Sequence, residues 1–133
     1  MYETFSERKQ LVEDLQKYLI SQFGDTNYNV FIYGSFFTDK FIPGKSDIDI
    51  AFYSKEVGLA MEIESAIGDF FKDKNIEVDT LFINTNYVDM YVYVYPLVHG
   101  IELTEYYPQE LRDFRNIVAI RQVKRSMDPM LFD

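Results

Sequence analysis

FIYGSFFTDKFIPGKSDIDIA, residues 31–51, joins two apolar extended segments through a polar turn. The first segment starts at Val30 and breaks at Gly34-Ser35; the second begins at Asp47-Ile48-Asp49-Ile50. Successive strand side chains point to opposite faces, so Asp47 and Asp49 share one face while Ile48 and Ile50 share the other. Neighbouring carboxylates repel each other, and a hard divalent ion such as Mg²⁺ relieves that repulsion by taking oxygen ligands. A glycine directly after a strand lets the backbone turn sharply, and a helix start beyond it presents free N–H groups to a phosphate. The two halves together read as a triphosphate cradle beside a metal platform.

Moving away from this stretch, Gly34-Ser35, eleven intervening residues and then Asp47-Ile48-Asp49-Ile50 form a spaced pattern, with a further acid at Asp79 in Ile76-Glu77-Val78-Asp79-Thr80-Leu81-Phe82. The pattern resembles the signature of the polymerase β-type nucleotidyltransferase superfamily, in which a third carboxylate comes from a later strand. The short chain is most similar to the minimal nucleotidyltransferases, often the antitoxin half of a toxin–antitoxin pair. The resemblance covers roughly Phe5 to Leu103. It implies an α/β nucleotidyltransferase fold, a mixed sheet of about four strands flanked by helices. The domain expected is a single one over residues 1–133, with its motif core at 28–83 and a C-terminal helix at about 108–127.

Composition bounds the rest. The chain has 133 residues, 47% hydrophobic and 17% aromatic, which suits one globular domain with a real core. It has no cysteine and one histidine, His99, so disulfides, thiolate metal sites and multi-histidine zinc sites are excluded. No apolar run is long enough to span a membrane, and the N-terminus lacks a signal-peptide layout, so a cytoplasmic protein is expected. The net charge of −9 disfavours long nucleic acid, whose binding draws on Lys and Arg. It suits a small nucleotide held through a metal and a second substrate that is neutral, basic or a protein. Whether the chain forms a homo-oligomer is left open.

Thr4 or Ser6 can cap a first helix ending near Phe23, with Gly24 as its stop and Leu11, Val12, Leu15, Tyr18 and Leu19 as its apolar stripe. Tyr28–Tyr33 reads as a strand, and Ser35–Asp39 as a short helix or helical turn anchored by Phe36, Phe37 and Phe41. Asp47–Tyr53 is the second strand. Ser54 can cap a second helix, from Glu56 to about Lys72, with Val57, Ala60, Met61, Glu64, Ile67 and Phe71 near one side. Ile76–Ile83 is the third strand, and helices between strands are what an α/β layer fold needs. Residues 84–103 are ambiguous. Tyr91-Val92-Tyr93-Val94-Tyr95 alternates like a strand, yet Val88, Tyr91, Val92 and Tyr95 also fit a helical face, and Pro96 interrupts either. The resemblance implies a helix there, leading into a short strand at Gly100–Leu103. A last helix, Pro108 to about Met127, carries Arg112, Arg115, Arg121, Lys124 and Arg125, with Leu111, Phe114, Ile117, Val118 and Val123 to pack it.

The chemistry that the resemblance implies is transfer of a nucleoside monophosphate, AMP from ATP, to an acceptor hydroxyl with release of pyrophosphate. Two Mg²⁺ ions would neutralise charge on the entering and leaving oxygens, ligated by Asp47 and Asp49. Asp79 would complete the set and help deprotonate the acceptor. Gly34 and Ser35 would hold the β- and γ-phosphates, and Lys45 can reach one. The implied acceptor is a hydroxyl on a partner toxin of the HEPN type. Two other readings stand beside it: a catalytically quiet protein that acts by binding its partner, and an enzyme modifying a small cationic acceptor of the aminoglycoside kind. Each residue also has a plainer role: a solvated strand edge for the acids, Glu77 sharing the parity of Asp79, a turn glycine, a capping serine, a solvated lysine. His99 fits a structural or surface position, and the tyrosines of 87–95 fit core packing or a nucleobase stack. At Phe36 and Phe37 the chain departs from the resemblance, since many minimal nucleotidyltransferases carry arginine directly after Gly-Ser.

Overall fold

The computed structural model describes residues 1–87 and 90–127, and side chains over the same span apart from 118 and 121–127. Val88 and the side chains of Val118, Arg121, Val123, Lys124 and Arg125, invoked above, lie outside the described residues.

The first helix, α1 (Phe5–Phe23), is fixed at both ends by local chemistry. Thr4 Oγ1 accepts the Glu7 N–H at 3.1 Å while the Glu7 carboxylate accepts from the Thr4 N–H, a reciprocal capping box. Gly24 ends the helix at φ 77°, a left-handed conformation that costs glycine little. Leu11, Val12, Leu15 and Leu19 are its buried stripe, as their spacing predicts.

Four strands follow the same chain order: β1 (Asn29–Tyr33), β2 (Ile48–Tyr53), β3 (Val78–Phe82) and β4 (Ile101–Glu102). They lie in one sheet in the order β3-β2-β1-β4. β1 runs antiparallel to both β2 and β4, and β2 runs parallel to β3, so the sheet is mixed. The β2–β3 crossover is α2 (Val57–Phe71), as a parallel connection requires. The helix α3 (Tyr91–His99) precedes β4, and α4 (Gln109–Met127) ends the described chain.

Strand alternation divides the core in two. Val30, Ile32, Ile48, Ile50 and Phe52 pack with the buried faces of α1 and α2. Phe31, Ala51, Tyr53 and Ile83 pack on the other side with Val94 and Leu97 of α3 and Leu111 and Phe114 of α4. A helix layer thus covers each face of the sheet.

Three expectations need correction, and one resolves between its alternatives. Ser35–Asp39, read as a short helix or helical turn, is the turn: Thr38 donates N–H and Oγ1–H to the Ser35 carbonyl at 2.9 and 2.8 Å, and the next bond runs from Phe41 N to Thr38 O. Sinking Phe36 and Phe41 into the core, with ring centroids 5.0 Å apart, takes a chain reversal that a continuing helix does not provide. The buried face of α2 is Ala60, Ile63, Ala66, Ile67 and Phe71, while Val57 and Met61 are 66% and 68% exposed. Apolar residues surround that helix, and the position of the sheet selects the face. Ser54 does not cap α2, whose N-cap is Glu56; the Ser54 hydroxyl instead donates to Asn27 O and accepts from Glu56 N. The third strand is shorter than Ile76–Ile83, though Ile83 N still reaches Phe52 O at 2.9 Å.

Residues 91–99 are helical, with Pro96 inside. Proline lacks the N–H that would bond four residues back, and Gly100 N closes the last turn onto Pro96 O at 2.9 Å. A Cβ on Gly100 would clash with that carbonyl, so this tight exit into β4 needs glycine.

Candidate active site

The three acids sit where the sheet loses its apolar cover. Asp49 is the second residue of β2 and shares a strand face with Ala51 and Tyr53, on the α3–α4 side. The parallel β2–β3 register sets Asp79 directly beside it, and the antiparallel β1–β2 register sets Tyr33 on its other flank. Asp47 precedes β2 by one residue and keeps the parity of Asp49. Asp49 is half-buried, whereas Asp47 and Asp79 are exposed. β3 is an edge strand, and Asp79 at this end of it meets solvent.

The electrostatics follow from that placement. Burial, then the charge on Asp79, then that on Asp47 hold the Asp49 carboxyl above the usual carboxylate range. Tyr33 is pushed up to about 12, first by burial and then by Asp49 and Asp79. Its phenol keeps its proton at neutral pH. None of the three acids is ion-paired among the described residues. Uncompensated carboxylates drawn from two adjacent strands are the hard oxygen donors that a divalent cation takes. Among the described residues no three His, Cys, Asp or Glu side chains already close into a metal cage.

Gly34 is constrained twice. It holds φ 77°, and a Cβ there would run into the Asp49 carboxylate. The glycine thus brings the backbone of the turn against the acid. Beyond it, the N–H groups of Ser35, Phe36 and Phe37 meet no protein acceptor among the described residues, and neither does the Ser35 hydroxyl. Successive free N–H groups in a turn form a concavity suited to an anion. The free N–H groups expected of a helix start are found here in a turn. The side chains of Phe36 and Phe37 face away into an aromatic cluster, with centroids 5.1 Å apart and Phe5 5.6 Å from Phe37.

Lys45 is exposed and its N–H is tied to Ile42 O at 3.0 Å. With Asp47, Lys72, Asn75 and Glu77 it lines a polar groove of about 350 Å³ that does not include Gly34, Ser35, Asp49 or Asp79. His99 lies on α3, its ring 4.6 Å from that of Tyr95. Two neighbours of the acids and the turn escaped the sequence reading. Tyr33 flanks Asp49, a neighbour that only strand register reveals. The backbone of Phe36 and Phe37 supplies free donors, which side-chain identity conceals.

Chains in solved structures share the fold at low identity. One is in the crystal structure of the toxin–antitoxin complex MntA–HepT: TM-score 0.50, 14% identity, 94% of this chain and 96% of that one covered. A double aspartate-to-glutamate mutant of such a complex gives 0.51 and 14%, covering 92% and 95%. A complex of tri-AMPylated HEPN toxin with MNT antitoxin from Shewanella oneidensis gives 0.51 and 15%, covering 95% and 96%. No curated protein matches the sequence. The family profile described as nucleotidyltransferase domain matches residues 9–103, from α1 through β4. That span takes in most of the chain and every acid and turn residue discussed above, and on it the chain belongs to the nucleotidyltransferase domain family.

Proposed function

We propose that this protein transfers AMP from ATP to a hydroxyl of a HEPN-type partner toxin and thereby acts as its antitoxin. The observation that carries the reading is the registration of Asp49 beside Asp79, two residues after Asp47 and against the Gly34 turn. The free N–H groups of Ser35, Phe36 and Phe37 and the Ser35 hydroxyl would hold the β- and γ-phosphates. Held there, the nucleotide would present its α-phosphate to the acids. Two Mg²⁺ ions bound by Asp47, Asp49 and Asp79 would supply charge neutralisation at the phosphoryl oxygens. The Asp79 carboxylate, exposed on the edge strand, would take the proton of the attacking hydroxyl, and pyrophosphate would leave as the new phosphodiester forms. Most of the acceleration would come from positioning and from charge already in place. Support for the partner and the group transferred comes from one solved neighbour, an MNT antitoxin in complex with a tri-AMPylated HEPN toxin.

Isothermal titration of MgATP tests the site. Wild type should release heat that Asp47→Asn with Asp49→Asn abolishes while circular dichroism stays unchanged; identical heats from both proteins would refute it. One observation favours a second reading, that of a quiet binding protein. Phe36 is wholly buried and Phe37 half-buried, so no cationic side chain directly follows Gly34-Ser35. On that reading the double variant would still neutralise the toxin.

A further inference from the structure

We propose that the row of rings Tyr33, Tyr95 and Tyr91 is the platform on which the nucleobase of the donor stacks. The inference rests on the acids being the phosphate end of a nucleotide site, and it assigns the other end. Tyr33 is the register partner of Asp49, so the row begins at the acids. From there the ring centroids step 6.2 Å to Tyr95 and 5.8 Å to Tyr91, both contacts edge-on. The outer two rings are not core residues. Tyr95 is 38% and Tyr91 40% exposed, while the face of α3 that packs the sheet is Val94 and Leu97.

The row is also held still. The His99 ring lies 4.6 Å from Tyr95, and the Tyr91 hydroxyl is 3.2 Å from His99 Nε2, so two turns of α3 are clamped together. An aromatic surface fixed before binding loses little entropy when a ligand stacks on it. Its faces are open to a flat ring: the cation–ring contacts of the described residues lie elsewhere, at Phe41, Phe70 and Tyr107. Stacking reads the face of a base and not its edge. Affinity at this platform should therefore follow ring area, purines above pyrimidines, with weak discrimination between purines.

The test is titration calorimetry in Mg²⁺ with ATP and with inorganic tripolyphosphate, which has phosphates and no base. Tyr95→Leu should weaken ATP by about five- to a hundredfold and leave tripolyphosphate unchanged, and Tyr95→Phe should bind ATP like wild type. Tyr91→Leu should give the same split and replaces Tyr95→Leu if that variant melts early. Unchanged ATP affinity in the leucine variants, or an equal loss for both ligands, overturns the platform. If Asp49→Asn then abolishes binding of both ligands, the phosphate site stands without it. Wild type that binds neither ligand overturns the nucleotide reading and the platform together.

Discussion

Gly34 and Asp49 constrain each other. Gly34→Ala would place a methyl group against the Asp49 carboxylate in a backbone conformation that L side chains rarely adopt. We expect a loss of about 1–3 kcal/mol in urea unfolding, together with loss of MgATP binding. Asp49 itself should trade stability for function. Folding raises its carboxyl above the unfolded value, so its contribution to stability is intact below the ordinary carboxylate value and is lost as pH climbs through the folded one. With EDTA present, Asp49→Asn should therefore melt a few degrees above wild type at neutral pH, and the gap should close as the solution is acidified through the carboxylate range. Melting curves between about pH 3 and 7 check this; a variant less stable than wild type at neutral pH would contradict it. Alternation in the sequence put Asp47 and Asp49 on one face, because parity is local. That Asp79 stands beside Asp49 is a matter of register between segments thirty residues apart in sequence, and only β2–β3 pairing settles it.

At the scale of elements, the two long helices differ in how openly they declare themselves. In α1 the apolar residues form a single stripe, and Thr4, Glu7 and Gly24 mark the ends. Thr4→Ala should cost about 1 kcal/mol in urea unfolding. In α2 apolar residues occur all round, so Val57 and Met61 look as suited to burial as Ile63 and Ala66. Ile63→Ala should cost about 2–5 kcal/mol, and Met61→Ala should fall within about 0.5 kcal/mol of wild type; the reverse order would place α2 the wrong way round. The segment 91–99 was ambiguous for a different reason: tyrosine serves equally on a strand face and on an exposed helix face. The segment after Gly34 left helix and turn open because its phenylalanines carry no period, only a demand to be buried.

At the scale of the molecule, two helix layers leave one end of a four-stranded sheet uncovered, and the uncompensated acids collect there. An overall charge of −9 adds to the repulsion among them. MgATP should relieve it and stabilise the fold by mass action, by about 2.7 kcal/mol at a free concentration about a hundredfold above Kd, so that the melting temperature rises, and Asp47→Asn with Asp49→Asn should show no such rise. The most direct measurement is the intact mass of a HEPN-type partner after incubation with this protein, ATP and Mg²⁺. The account predicts one or more mass increments of AMP with wild type and none with the double aspartate variant. A partner that is bound and neutralised by wild type yet keeps its original mass would contradict it.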